Sequence, residues 1–436
     1  MLVKVITFGC KVNQFESQAI IEALRRAGHQ IAGPRDGVDI CIVNTCAVTA
    51  RAAYEARQAI RRVLRRHPGA RIIVTGCYAQ TDPWGLMESI DTNICVIGND
   101  QKERLLNPKF SSMDCLEIYV GDILKKKNIT PFSLHSPQGR TRAYLKIQDG
   151  CSAFCSYCIV PYARGPSRSL PVEEVLEQAR RYEEAGVREI VVTGIHVGFY
   201  GRDLEDPVSL VDILDTLTSR FKGCRFRLSS LEPGELTDDI IALAAERENF
   251  CPHFHIPLQS GSPKVLKSMG RRYTPEEFIE RVNVLRERLP DAAIGTDCMV
   301  GYPGEEEADF EMTCEVVKGS PITYLHVFPY SRRPGTRAAG MKETVTRREK
   351  ERRARELRAI GEEKKVAFYR QFLGTTIEIL AERVDRKRGI VQGTSANYLQ
   401  AVARLKVKAP TPQPNQIVKL VAKSIEDQKI FGEMIS

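Results

Sequence analysis

Three cysteines spaced Cys151-x3-Cys155-x2-Cys158, in the run Lys146-Ile147-Gln148-Asp149-Gly150-Cys151-Ser152-Ala153-Phe154-Cys155-Ser156-Tyr157-Cys158, are the residues best placed to do chemistry. Three thiolates on one short loop can ligate three irons of a [4Fe–4S] cluster and leave the fourth iron open. A structural zinc site wants four protein ligands, often as paired Cys or Cys/His, and the only His within about twenty-five residues is His135. A ferredoxin run would bring a fourth Cys soon after the third; Ile159-Val160-Pro161-Tyr162 follows instead.

Such a loop needs a scaffold. In the N-terminal part, Val3–Phe8, Asp39–Asn44 and Arg71–Thr75 are short β-branched runs bounded by polar or Gly residues, and the stretches Phe15–Ala27 and Thr49–Arg66 between them are helical in pattern. This predicts an α/β, flavodoxin-like parallel sheet. Cys10, Cys46 and Cys77 each follow one of these strands, in Gly9-Cys10-Lys11-Val12-Asn13, Asn44-Thr45-Cys46 and Gly76-Cys77-Tyr78. The carboxyl ends of parallel strands share one edge, so these three thiols can converge there, again one short of a closed site. Cys is also a common buried residue, and spacing alone leaves both readings open. Cys41, inside the second strand, is expected to be simply buried, as are Cys95, Cys115, Cys224, Cys251, Cys298 and Cys314.

A polar stretch with two prolines, from Lys125 to Gly139, reads as a linker. Beyond it Ala143–Gln148, Glu189–Thr193, Arg225–Ser229, His253–Leu258, Ala293–Val300 and Leu325–Phe328 are candidate strands, with helical patterns at Val172–Ala185, Thr237–Ala245 and Pro275–Leu289. These units predict a partial (β/α)6 barrel whose chemistry lies at the carboxyl ends of its strands, and the cysteine loop follows the first of them. Loop residues at the same edge, Gly194, Ser230, Glu232 and Gln259, together with Tyr157 of the cysteine loop, are candidates to hold a cofactor nucleoside.

The chain has 436 residues, enough for two or three cores, and a net charge of +9, which favours a polyanionic partner. The Arg-rich runs at Arg61–Arg66 and Arg347–Arg353 read as readily as solvated helix faces. The start carries no signal-peptide pattern, and no run of about eighteen apolar residues offers a membrane span. Thirteen scattered cysteines do not form a secreted disulfide framework, so reduced thiols in a cytoplasm are expected.

With these motifs in hand, the chain resembles the radical S-adenosylmethionine methylthiotransferases along essentially its whole length. The resemblance implies a methylthiotransferase domain over 1–130 whose Cys10, Cys46 and Cys77 hold an auxiliary [4Fe–4S] cluster. It further implies a radical S-adenosylmethionine (SAM) barrel over 137–367 with the second cluster on Cys151, Cys155 and Cys158, and an all-β TRAM domain over 370–436. The run Thr394-Ser395-Ala396-Asn397-Tyr398 matches the turn common in TRAM domains, and residues 370–436 carry eleven Lys/Arg against six Asp/Glu, as an RNA-binding module would. Gly9-Cys10-Lys11-Val12-Asn13-Gln14, Thr193-Gly194-Ile195-His196, His253–Gly261 and Leu325–Ser331 look most like the branch acting on N6-threonylcarbamoyladenosine beside the tRNA anticodon. The isopentenyladenosine branch usually has Gln-Met-Asn after the first Cys, and a ribosomal-protein aspartate is the target of a further branch. A non-catalytic iron–sulfur RNA-binding protein is the rival from another class. The family implies SAM cleavage to a 5′-deoxyadenosyl radical, hydrogen removal from adenine C2, and transfer of a methylthio group from the auxiliary cluster. It also implies a flipped base of the anticodon loop as substrate and an electron donor such as flavodoxin or ferredoxin. No side-chain acid or base is assigned, and the oligomeric state is left open.

Overall fold

The structure, a computed structural model, describes residues 1–33, 36–90, 94–107, 117–135, 141–405 and 411–435. Strands β1 (Leu2–Thr7), β2 (Gln30–Ile31), β3 (Ile40–Thr45), β4 (Arg71–Gly76), β5 (Ile94–Ile97) and β6 (Ile118–Tyr119) form a parallel sheet in the order β2-β1-β3-β4-β5-β6, the flavodoxin-type winding. β3 is buried along its whole length, as befits a central strand covered on both faces. The helix Lys11–Arg26 begins directly after Cys10, four residues earlier than the sequence pattern indicates. It buries Val12, Phe15, Ala19, Ile20 and Leu24 at helical spacing, and with them the polar Asn13, Glu16 and Ser17.

Strands β7 (Arg142–Lys146), β8 (Gln148–Asp149), β9 (Arg168–Ser169), β10 (Glu189–Thr193), β11 (Arg225–Leu228), β12 (His253–His255), β13 (Ala293–Val300) and β14 (Tyr324–Pro329) follow. β11-β10-β7 and β12-β13-β14 are two parallel three-stranded sheets, joined side by side where Phe226 bridges Phe250; β8 pairs with β9. This is the expected partial barrel. The N-terminal domain packs beside β7 and reaches the segment after β14, where Ser331 Oγ accepts from Ala50 N and Arg333 donates to Ala47 O. The segment read as a linker is not a free tether. Phe132 and Leu134 are buried, and Leu134 N donates to Gln178 on the helix Val172–Glu184; its residues 136–139 lie outside the described ones.

A 24-residue helix, Arg347–Arg370, lies against β14 and leads into β15 (Thr376–Asp385), β16 (Ile390–Ser395), β17 (Gln400–Arg404), β18 (Ile417–Glu426) and β19 (Lys429–Met434). These close into a five-stranded barrel in the order β15-β16-β17-β19-β18, with bulges at Ala381/Arg383 and Ala422/Ser424 that let so small a sheet turn on itself. The small barrel covers the amino-terminal ends of the large barrel's strands. Arg225 donates to Thr394 O, Arg227 to Ser395 O and Ala396 O, and the Tyr398 ring lies 4.2 Å from that of His253.

Candidate functional site

The loops after β1, β3 and β4 carry Cys10, Cys46 and Cys77. Cys46 and Cys77 are buried and Cys10 is open to solvent, while the remaining described cysteines outside the two trios, Cys41, Cys95, Cys224, Cys251, Cys298 and Cys314, are buried in cores; Cys115 lies outside the described residues. The turns that present these thiols are backbone-tight. Gly9 has φ +100, and a Cβ there would sit 2.9 Å from Cys46 Cβ; Gly76 has φ +96, and its Cβ would sit 2.4 Å from Thr45 O. Asn13 ties two of the loops together by donating to Phe8 O (2.8 Å) and Thr45 O (3.0 Å). Asn99 Nδ2, 3.6 Å from Cys77 Sγ, donates to Ala163 O in the short helix that follows Cys158.

The second trio hangs from β8. Gln148 is its clasp: Nε2 donates to Asp149 O and Gly150 O, and Oε1 accepts from Ile195 N and His196 N at the end of β10. Gly150, at φ +74, lets the chain pass where a Cβ would meet Pro166 O at 1.9 Å, and Cys151 N donates to Gly165 O. His196 places Nδ1 3.4 Å from Cys151 Sγ and Nε2 2.6 Å from Glu235 Oε1. Burial disfavours its imidazolium, but the bonds to Cys151 and Glu235 outweigh it and raise the pKa to about 9. Burial pushes the Cys158 thiol up to about 12 and the Cys46 thiol likewise, the latter also through Cys77, so both favour the neutral form until a metal takes the proton's place.

Of the nucleoside candidates, Tyr157, Glu232 and Gly194 are tied to this loop. Arg271 pairs with Glu232 at 2.5 Å and donates to Tyr157 OH, which rigidifies the loop and occupies one Glu232 oxygen. Gly194 admits the Gln148 side chain, since a Cβ would lie 2.8 Å from Oε1. Gln259 is buried at φ +65, with its backbone paired to Asp297 and Met299, and Ser230 is exposed while its neighbour Ser229 is buried.

Sequence reading missed the element that joins the trios. Glu16, fully buried, accepts from Lys102 (2.6 Å), Lys146 (3.0 Å) and Arg164 (2.7 Å); Asp149 accepts from Lys146 (2.6 Å) and Arg164 (3.0 Å). Arg164 also donates to Asn13. Burial alone would raise both carboxyls, but Arg164 first, then Lys102 and Lys146 for Glu16 and Lys146 for Asp149, hold them well below the carboxylate range. One network thus grips the helix behind Cys10 and the strand before Cys151. A second missed group is His255, Asp297 and His326, whose imidazoles both bond the same Asp297 oxygen, at 3.0 and 3.1 Å. It is the group of three among the described residues whose ligand-type atoms all lie within 4.8 Å. Neither cysteine trio is that tight, whereas zinc at about 2.3 Å from each sulfur would bring tetrahedral thiolates to roughly 3.8 Å.

Two trios of thiols, one at the edge of the N-terminal sheet and one on a partial parallel barrel, are the donor set and scaffold of a radical SAM enzyme with an additional iron–sulfur site. Residues 145–317 match the radical SAM superfamily, and residues 2–98 match the uncharacterized protein family UPF0004. A threonylcarbamoyladenosine tRNA methylthiotransferase from Bacillus subtilis is 38% identical over 91% of this chain and 89% of its own, and one from Aquifex aeolicus is 36% identical over 87% and 92%. A tRNA-2-methylthio-N(6)-dimethylallyladenosine synthase from Natranaerobius thermophilus is 32% identical over 87% and 86%. Among solved structures, the radical SAM methyltransferase TsrM from Kitasatospora setae, with cobalamin and a [4Fe–4S] cluster, shares the fold at a TM-score of 0.59 and 14% identity over 77% of this chain and 76% of that one. The chain belongs to the radical SAM tRNA methylthiotransferase family, enzymes that work with two [4Fe–4S] clusters and SAM.

Proposed function

We propose that this enzyme converts N6-threonylcarbamoyladenosine next to the tRNA anticodon into its 2-methylthio derivative. Cys151, Cys155 and Cys158 hold the cluster that binds SAM, and Cys10, Cys46 and Cys77 hold the auxiliary one. The observation that carries the reading is the buried network of Glu16, Asp149, Arg164, Lys146 and Lys102, which clamps two three-thiol loops to one another. The likeness to the threonylcarbamoyladenosine enzymes supports the substrate branch.

Bound there, the clusters and SAM supply a 5′-deoxyadenosyl radical and the sulfur to be transferred. The residues around them do the positioning. Gln148 and Gly150 set the Cys151 loop on the strand ends, His196 sits against Cys151, and Arg271 fixes Tyr157 and Glu232 beside the loop. Asn13 and Asn99 hold the auxiliary turns. RNA meets a cavity of about 680 Å3 between β14, the helix Arg347–Arg370 and the small barrel, lined by Phe328, His326, Tyr398, Arg358 and Lys365. Aromatic faces and cations are what an unstacked loop needs. No described helix is long and apolar enough to cross a membrane; we place the enzyme in the cytoplasm, with flavodoxin or ferredoxin as electron donor. Mass spectrometry of tRNA nucleosides from cells lacking the protein tests the function. Loss of the 2-methylthio-threonylcarbamoyl nucleoside is expected; its persistence, or loss of the dimethylallyl counterpart instead, refutes the substrate.

A further inference from the structure

Where the small barrel covers the large one, cations outnumber carboxylates. Arg225 and Arg227 share Glu189 at 2.6 and 2.8 Å, and Arg142 pairs with Glu382 at 3.1 Å. Lys11, on the N-terminal domain, adds a fourth cation. Its one hydrogen-bond partner among the described residues is Ser229 Oγ, 3.5 Å away at the carboxyl end of β11, and it pairs with no carboxylate among those residues. Of the charges acting on this half-buried ammonium, Arg227 and Arg142 oppose it most, and Cys10 and the more weakly acting Glu189 offset them only in part. A cation so placed is costly unless an anion completes it.

Lys11 follows Cys10 directly, so that anion sits one side chain from the auxiliary thiols. The two substrate classes named for the relatives differ in the charge of the group on the base. A threonylcarbamoyl group ends in a free carboxylate, and a dimethylallyl group is a neutral hydrocarbon. Resting on the substrate reading above, we infer that Lys11, with Ser229 beside it, forms the subsite that receives the carboxylate of the threonylcarbamoyl group and so selects the substrate. An ammonium is a point charge with three donors, suited to a carboxylate oxygen that a hydroxyl also contacts. RNA phosphates and the carboxylate of SAM share this anionic chemistry, and the test separates them.

Anaerobically reconstituted full-length protein is titrated with anticodon stem-loops carrying threonylcarbamoyladenosine, its neutral methyl ester, or dimethylallyladenosine, and separately with SAM. The wild type is expected to bind the acid at least about tenfold tighter than the ester. Lys11→Met and Lys11→Gln are expected to weaken acid binding about ten- to hundredfold, leaving ester and SAM affinity unchanged. Lys11→Arg restores part of the loss. Iron content and thermal midpoint report whether each variant is folded and loaded, and the glutamine variant stands in if the methionine one is not. Retention of the acid preference by both neutral variants overturns the inference, as does equal weakening toward acid and ester, which marks an RNA-phosphate contact, or a loss of SAM affinity. A wild type that prefers dimethylallyl RNA overturns the substrate reading itself, and the subsite with it.

Discussion

Neutralising Glu16 should be among the most damaging single changes in this molecule outside the cysteines. In Glu16→Gln the shape is kept, but three buried cations then face Asp149 alone, where two carboxylates faced them before. Removing one partner of a buried pair typically costs about 3–5 kcal/mol, because the remaining charge cannot recover its hydration. For a cooperative unit of about 150–250 residues, each kcal/mol lowers the midpoint by about 2–4 °C, so a fall of roughly 10 °C is expected. The assay is thermal or urea unfolding of the anaerobic protein, with Glu177→Gln as control, since Glu177 pairs with Arg180 and Arg181 on an exposed face and should shift little. A second arm sharpens the result. Lys102 has Glu16 and Asn44 as its partners, so Lys102→Met should cost less when combined with Glu16→Gln than in the wild type, by about 1 kcal/mol or more. A shift in Glu16→Gln below about 2 °C, or strict additivity of the two changes, would refute the account of Glu16 as the shared counter-ion.

Reconstituted wild type should bind about eight irons, and replacing Cys151, Cys155 and Cys158 together by Ala should leave about four and abolish SAM cleavage; a remainder near zero would leave the N-terminal thiols without a cluster. Charge reversal of the exposed Arg383, Arg386, Lys387 and Arg388 should weaken tRNA binding and flatten its salt dependence, by about 0.7–0.9 in log–log slope for each phosphate no longer neutralised; an unchanged slope would move the RNA site elsewhere. Glu16 and Asp149 have folded pKa values depressed below their unfolded ones, so their stabilisation is complete above about pH 5 and is lost as pH falls through the depressed values. Wild-type melting should therefore decline steeply on acidification below that point, and Glu16→Gln less so; parallel curves would contradict the assignment.

What could be read beforehand follows from how local each signal is. β13 matches its sequence expectation residue for residue, Ala293–Val300, because apolar residues at both ends of a mostly buried strand mark its bounds even though Thr296 and Asp297 lie inside it. β18 and β19 went unread: Lys419, Lys423, Glu426 and Glu433 interrupt them, as happens when a strand of a small closed barrel turns one face to water. The helix Leu210–Arg220 was missed although Ser209 and Asp212 form a capping box at its start. Within the site, Cys151, Cys155 and Cys158 are legible because their spacing is short. The rule that strand ends share an edge brings Cys10, Cys46 and Cys77 together but leaves simple burial open, and the family resemblance is what marks them as candidate ligands. Glu16 was invisible, since a carboxylate on a helix reads as a surface residue and its partner Arg164 lies 148 positions away. His196 lies 45 positions from Cys151, so its contact with that thiol leaves no local sequence signal.

The joints between domains add buried charge-assisted hydrogen bonds to their apolar packing, and that has a consequence for how the site keeps its dimensions. A guanidinium offers five donors in a fixed plane, and Glu189 engages only part of those on Arg227. Two more meet the carbonyls of Ser395 and Ala396, carried by the turn in which Tyr398 adopts φ +67 and lays its ring against His253. Pulling the small barrel away would leave buried donors with no acceptor, at a cost of about 1–3 kcal/mol each and more because the group is charged. Glu16 plays the same part between the N-terminal sheet and β7. Apolar interfaces tolerate sliding, because their energy depends on area and hardly on direction; charge-assisted hydrogen bonds do not, because a displacement of about 1 Å breaks them. An enzyme that works with two separately held centres needs the second kind of joint, and both of its domain boundaries have it.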